Sequence, residues 1–166
     1  KVMLHPNQKL IEFETKLDWQ SPKKMLRTAF PLKLKTKEAI CDIQFGSISR
    51  STGNKTKIEK ARWEVPAQKW VDMSNGKYGA AVITDCKYGY RIKKNTIDLN
   101  LLRSTNHPGK DGDIGKHKIR YALYIHSGDH IQGEVDWHAT VFNTWFPMYS
   151  GSKIPESLLG LSAENI

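Results

Sequence analysis

The side chains with the most varied chemistry lie close together in the sequence. Six of them surround one predicted hairpin: Asp85, Lys87, Tyr88, Tyr90, Arg91 and Arg103. Arg103 falls in phase with the apolar residues Leu99 and Leu101, so the alternation predicts it on a buried face, where a guanidinium needs partners. Its five fixed donors suit carboxylates and also sugar hydroxyls. The alternative is an arginine just past the strand end that pairs with Asp85 or Asp113.

A metal site is a second hypothesis. The run His126-Ser-Gly-Asp-His130, with His138 eight residues later, supplies histidine and aspartate ligands at short spacing. Zinc needs three or four such ligands held on fixed elements. The Ser-Gly-Asp run is typical of a turn after a strand, so the alternative is a solvated loop that carries histidines. Neither CxxC nor HExxH is present in the sequence.

The residue types allow two catalytic arrangements. Cys86 follows a predicted strand, with Lys87 beside it and His117 or His126 as possible bases, but a buried structural cysteine is the more common case. Glycosidase chemistry needs two carboxylates across the scissile bond. The spacing of the acidic residues selects no such pair among the candidates Asp85, Asp98, Asp113, Glu134 and Asp136. The residues by themselves therefore select no acid/base pair.

The elements that must position these side chains are mostly strands. Period-two alternation predicts strands over 11–19, 26–34, 39–45, 78–84, 97–101 and 119–125, with further strands beginning near Ala61 and Trp70. Pro31 marks its strand as an edge or bulged strand, and Asp98 and Asn100 are predicted to face away from the core. Residues 49–56 are predicted as a polar loop. Three- and four-residue spacing over 134–146 predicts one short helix, ended by Pro147.

These elements predict an all-β fold, an antiparallel β-sandwich with one short helix near the C-terminus. The 166 residues suit a single domain spanning 1–166.

No apolar run reaches the length of a membrane-spanning helix, and two cysteines cannot make a disulfide scaffold. The net charge of +9 favours anionic partners such as nucleic acid. The lysines, however, are spread along the chain instead of being gathered in one segment, so we expect no nucleic-acid partner.

Ordered sequence blocks resemble a known family across nearly the whole chain. Residues 85–90 read Asp-Cys-Lys-Tyr-Gly-Tyr, residues 101–104 read Leu-Leu-Arg-Ser, and residues 121–126 read Tyr-Ala-Leu-Tyr-Ile-His. Earlier blocks lie at 5–7, 11–13, 25–31, 41–46 and 70–74. Together they resemble the C-terminal β-domain of α-mannosidases of glycoside hydrolase family 38. Blocks in a fixed order over such a length are more specific than any single motif.

The resemblance implies a large, retaining α-mannosidase of which this chain is a fragment. The nucleophile, the acid/base and the ligands of a divalent metal, usually zinc, would lie on an N-terminal catalytic barrel outside this chain, so no cofactor is expected in the fragment. The chain would be part of a large super-sandwich that packs against the barrel and a helical bundle of the same polypeptide. By position, Arg103 would bind substrate hydroxyls, with Asp85, Lys87 and Tyr88 shaping the sugar pocket.

Three functions are compatible with these features: a fragment that braces an α-mannosidase and completes its pocket, a non-catalytic carbohydrate-binding sandwich, and a basic nucleic-acid module. The first is favoured, with mannoside or oligosaccharide as substrate. The second depends on exposed aromatic side chains, whereas the alternation predicts Trp19 and Trp63 in the core. Lacking a signal-peptide pattern, the protein is expected in the cytoplasm without a membrane partner, and a homo-oligomer is a further possibility.

Overall fold

A computed structural model describes residues 1–105, 107, 109 and 112–144. Eleven strands and two short helices make up this part of the chain. In chain order they are β1 (Val2–Leu4), β2 (Leu10–Trp19), β3 (Met25–Pro31), β4 (Glu38–Ile43), β5 (Gly46–Ser51), α1 (Lys57–Ala61), β6 (Val65–Pro66), β7 (Trp70–Ser74), β8 (Tyr78–Thr84), β9 (Gly89–Lys93), β10 (Thr96–Arg103), β11 (Gly115–Ser127) and α2 (Val135–Asn143).

The strands form two antiparallel sheets. The large sheet has the order β1-β2-β11-β8-β7-β4-β5, and the small sheet has the order β3-β10-β9-β6. The prediction of an all-β antiparallel sandwich is confirmed. β3 is an edge strand of the small sheet, as Pro31 indicated, because proline cannot donate a ladder hydrogen bond.

The main core lies between the inner faces of the two sheets. Val71, Val82 and Ile119 from the large sheet and Ile97 and Leu99 from the small sheet are all buried in one apolar cluster. Aromatic rings extend this cluster toward the β2 side, where Phe13 stacks on Tyr121 with ring centroids 5.2 Å apart. Burial of this apolar surface is the main force that holds the sheets together.

The helix α2 covers the outer face of the large sheet. Val135 and Ala139 are buried there against Trp70, Ile83 and Ala122 in a second apolar cluster. The predicted helix at 134–146 is confirmed from Val135 to Asn143, and the backbone is extended at Thr144. Trp145, Phe146 and Pro147 lie outside the described residues, so the expected stop at Pro147 stays a prediction.

Two expectations near the middle of the chain are wrong. β5 continues to Ser51, into the predicted polar loop, and α1 replaces the predicted start of a strand at Ala61. Thr56 and Glu59 explain the helix, because each accepts a hydrogen bond from the backbone N–H of the other in a capping box. Trp63 follows this helix and is 73 % exposed, so it is not a core residue.

No helix in the described part of the chain has the length and apolar character needed to cross a membrane.

Candidate functional site

The four predicted sugar-contacting residues lie in two segments at the same end of the small sheet. Asp85, Lys87 and Tyr88 belong to the connection that leaves β8 in the large sheet and enters β9 in the small sheet. Arg103 is the last residue of β10. β9 and β10 pair antiparallel, from Lys93 opposite Thr96 onward, so the start of β9 and the end of β10 share one end of the sheet.

Arg103 is exposed, so the prediction that it lies on a buried face is wrong. Asn100 pairs with Arg27 and Leu102 pairs with Leu26, which leaves Leu101 as an extra residue in β10. A bulge of one residue reverses which side chains face the core. Leu101 and Leu102 are therefore both buried, and the next residue faces solvent.

The end of β10 is fixed by its backbone. The N–H of Arg103 donates to Oδ2 of Asp113 at 2.6 Å, and Ser104 Oγ accepts from Nε1 of Trp19 at 2.6 Å. Among the described residues, the Arg103 guanidinium forms no ion pair with Asp85 or Asp113. The arginine is exposed and borders a shallow groove of about 390 Å³ together with Lys24 and Met25.

The turn that carries the other three residues is also fixed by its backbone. The Lys87 N–H donates to Thr84 Oγ1 at 3.2 Å, and Asp85 Oδ1 accepts from the N–H of Arg120 at 3.4 Å. The Tyr88 carbonyl accepts from the N–H of Ala67 at 3.0 Å, while its side chain is 60 % exposed. Within the described part of the chain, no hydrogen bond joins Arg103 to these three side chains, so they share an end of the sandwich without direct contact.

Cys86 does not have the properties of a nucleophile. Partial burial of its thiol, together with the hydrogen bond and charge of Asp85, raises the pKa of Cys86 to about 11. The thiolate, which is the reactive form, is scarce at such a pKa. The two histidines considered as bases are engaged elsewhere: His117 Nε2 lies 2.7 Å from the Asp113 carbonyl oxygen, and His126 pairs with Asp72.

The histidine cluster does not form a metal site in the described part of the chain, where no group of three His, Cys, Asp or Glu side chains is arranged to hold an ion. His130 packs on Trp70 and His138 packs on Tyr124, with ring centroids 5.6 and 4.2 Å apart. His126 is only 3 % exposed, so the alternative of a solvated loop is also wrong for this residue.

Sequence reasoning missed two buried charged clusters. One is the pair His126 and Asp72 on the outer face of the large sheet. In the other, Asp98 is 3 % exposed under Arg27 and Arg91, so it does not face solvent as predicted. The signal for Asp72 was present in the sequence, because an aspartate inside the apolar run 70–73 must be paired or exposed.

The first 111 residues match the family model described as "Glycosyl hydrolases family 38 C-terminal domain". Alpha-mannosidase 2C1 of Mus musculus is 35 % identical over 148 residues, which cover 89 % of this chain and 14 % of the relative. Alpha-mannosidase G of Dictyostelium discoideum is 40 % identical over 127 residues, which cover 76 % of this chain and 12 % of the relative. The matched region is thus a small part of these relatives.

The fold is also similar to a solved structure. The crystal structure of an alpha-mannosidase from Enterococcus faecalis V583 superposes with a TM-score of 0.75 at 18 % sequence identity. The match covers 86 % of this chain and 17 % of that chain. At this identity the likeness concerns the fold, and it supports the sandwich described above.

Proposed function

The chain belongs to glycosyl hydrolase family 38, as part of its C-terminal domain, and we propose that the protein carrying it is a retaining, metal-dependent α-mannosidase. Such an enzyme removes terminal α-D-mannosyl residues from mannosides or oligosaccharides. The observation that carries the proposal is the match of residues 1–111 to the family model, together with 35–40 % identity to two alpha-mannosidases.

The nucleophile, the acid/base and the metal ligands are expected outside this chain, which spans 12–14 % of the length of those relatives. The described residues do not fit a metal site of three or more ligands. No step of the reaction is therefore assigned to a metal held by this chain. The expected divalent ion, usually zinc, belongs to the proposed catalytic barrel.

The proposed role of this chain is to brace the catalytic barrel and helical bundle and to complete one wall of the sugar pocket. Two observations support this role. Arg103, Asp85, Lys87 and Tyr88 share one end of the sandwich, and Arg103 is exposed there with its backbone held by Asp113. A guanidinium on a rigid strand end can donate to two sugar hydroxyls and strengthen these contacts in the oxocarbenium-like transition state.

The supporting residues would act through the turn before β9. Asp85 ties this turn to the backbone of Arg120 on β11, which fixes where Lys87 and Tyr88 project. Lys87 would add a positive charge and Tyr88 an exposed ring with a hydroxyl, a combination that suits the polar groups and C–H faces of a sugar.

Further parts of the proposal concern location and partners. We infer that the protein is cytoplasmic and has no membrane or nucleic-acid partner. Assembly into a homo-oligomer is compatible with the sequence. The basic side chains are spread over strands, turns and α1 rather than forming one arm, and no recognition helix is present in the described part of the chain.

The test is hydrolysis of an aryl α-mannoside by the full-length protein, with zinc or cobalt added. Release of the aryl group that depends on the metal is expected. Absence of hydrolysis under all metal conditions contradicts the proposal and favours the second candidate, a non-catalytic carbohydrate-binding sandwich. One observation favours that candidate: exposed aromatic side chains line a groove beside α2.

A further inference from the structure

A groove of about 680 Å³ lies between the β4–β5 turn and the start of α2. Its volume is within the range of small-molecule sites, roughly 300–1,000 Å³. Three exposed apolar side chains line it: Phe45, Ile131 and Trp137. Three carboxylates line it as well: Asp42, Glu134 and Asp136. Sequence reasoning did not find this site, because its two walls are about 90 residues apart in the chain.

Two aromatic side chains of the groove, Phe45 and Trp137, are accessible to solvent. Phe45 is fully exposed at the tip of the β4–β5 turn, and its φ of 63° is a left-handed conformation that phenylalanine rarely adopts. Trp137 is 61 % exposed on the solvent side of α2. Strain and apolar exposure both cost stability, and their coincidence at one groove indicates a binding surface.

Asp42 gives the groove a fixed polar contact. The residue is 5 % exposed, and its Oδ2 accepts from the N–H of Lys69 at 2.8 Å. Its other carboxylate oxygen accepts no hydrogen bond within the described part of the chain. Burial raises the pKa of Asp42, against the opposing effect of the Lys69 N–H. A buried carboxylate with one unused oxygen needs a donor, which water or the hydroxyl of a ligand supplies.

The charges of the groove disfavour anionic ligands. Its lysine, Lys69, is already paired, since Nζ lies 2.9 Å from Asp136 Oδ1 and 3.1 Å from Thr140 Oγ1. Glu134 makes no capping hydrogen bond from its side chain. The groove is therefore acidic in a chain whose net charge is +9. Phosphates and nucleic acids are repelled, whereas neutral hydroxyl donors are attracted.

We propose that this groove binds a neutral saccharide. Trp137 and Phe45 pack against the C–H faces of the sugar rings, whose weakly positive hydrogens suit the negative face of an aromatic ring. Asp42 accepts a hydrogen bond from a sugar hydroxyl at the floor of the groove. That the saccharide is an α-mannoside rests on the proposed function.

The test is affinity electrophoresis of the full-length protein in gels containing yeast mannan. We compare the wild type with Trp137→Ala and Phe45→Ser, whose side chains are exposed and whose loss leaves the core intact. Each is expected to weaken retention about three- to tenfold, as removal of one aromatic contact does. Trp63→Ala is the matched control, because Trp63 is also a largely exposed tryptophan but lies before β6, away from the groove. It should leave retention unchanged.

A third variant tests the polar contact. Asp42→Asn keeps an oxygen to accept the Lys69 N–H and removes the charge, so it should weaken retention while the melting temperature stays within a few degrees of the wild type.

Several outcomes overturn the proposal. The first is that mannan does not retain the wild type. The second is that the wild type and Trp137→Ala are retained equally. The third is that Trp63→Ala loses as much retention as Trp137→Ala does. A lower melting temperature of the full-length protein with Trp137→Ala or Phe45→Ser shows instead that this face packs against another part of the protein. Aryl α-mannoside hydrolysis in the same preparations separates the two proposals. If the protein hydrolyses the aryl α-mannoside but the variants leave retention unchanged, only the proposal of a saccharide-binding groove is contradicted. If the protein is retained but does not hydrolyse the aryl α-mannoside, only the α-mannosidase assignment is contradicted.

Discussion

Nε2 of His126 lies 2.8 Å from Oδ1 of Asp72, and both side chains are almost fully buried on the face of the large sheet that carries α2. The other ring nitrogen, Nδ1, lies 3.3 Å from the carbonyl oxygen of Ser127. Both nitrogens face oxygen acceptors, so the protonated ring is the form that donates to both. The pair joins β7 to β11 across β8, whose Gly79 leaves room for the imidazole.

The pair makes stability depend on pH. Burial alone lowers the pKa of His126, but the hydrogen bond and charge of Asp72 outweigh burial and leave the pKa raised. A raised pKa means that the folded chain holds the His126 proton more tightly than the unfolded chain does, so the proton stabilises the fold. This contribution is complete below the ordinary histidine pKa of about 6.5. It is lost as the pH rises through the pKa of His126 in the folded protein. We expect urea unfolding to show a larger stability gap between the wild type and His126→Gln at pH 6 than at pH 9. A gap that grows with pH contradicts this sign.

The same ring restricts Gly133, because a Cβ at this position overlaps the His126 imidazole. Gly133→Ala should therefore lower the free energy of unfolding by about 1–3 kcal/mol, the usual cost of overpacking a core. Gly46→Ala is the matched control, since in the described part of the chain no heavy atom beyond its own chain neighbours lies within 4 Å of the added methyl group. It should be neutral or slightly stabilising in the same denaturation measurement. Equal losses in the two variants argue against crowding by His126.

Asp98 is the centre of a second buried charge cluster. Its carboxylate lies 2.5 Å from Arg91 Nη2 and 3.8 Å from Arg27 Nη1. Asp98→Ala leaves Arg27 without this partner and should cost about 1–3 kcal/mol, less than for a fully enclosed pair because Arg91 is half exposed. Chemical denaturation provides the measurement. Arg91→Ala should cost less than Asp98→Ala, and the reverse order shows that the exposed arginine dominates.

Arg103 tests the proposed role of the chain in catalysis. In the full-length protein, Arg103→Ala should lower kcat/KM for an aryl α-mannoside about thirtyfold, equivalent to about 2 kcal/mol of transition-state binding. Arg103→Lys should restore only part of this loss, because an ammonium lacks the planar fork. Lys35→Ala removes an exposed cation near the β9–β10 turn, at the opposite end of the small sheet, and should have no effect. If the folded Arg103→Ala protein has an unchanged kcat/KM, Arg103 does not contact the substrate and this chain acts only as a scaffold.

Cys86 should react slowly despite its exposure. Its pKa of about 11 compares with about 8.5 for a free cysteine, so at pH 7.5 the thiolate is scarcer and alkylation by iodoacetamide should be at least tenfold slower than for a small thiol. The rate should still be rising with pH at pH 10. Cys41, which is buried, should stay unmodified in the native protein. Labelling of Cys86 as fast as the small thiol refutes the raised pKa.

The sequence by itself determined the sandwich, because alternation of apolar and polar residues is local information. Strands such as β2 and β8 follow the predicted ranges closely, and Pro31 correctly placed β3 at an edge. The family resemblance also came from the sequence, since it rests on ordered blocks of residues. It indicated Arg103 by position, whereas the separate prediction from the alternation, that Arg103 lies on a buried face, was wrong.

Only the tertiary structure decided which side chains are buried and paired. The extra residue at Leu101 reverses the phase of β10, and strict alternation does not predict where a bulge occurs. His126 and Asp72 are 54 residues apart and meet because β7, β8 and β11 are neighbours in one sheet. The groove with Phe45 and Trp137 likewise requires α2 to pack beside the β4–β5 turn. Pairing between distant segments follows from sheet order, which local periodicity does not encode.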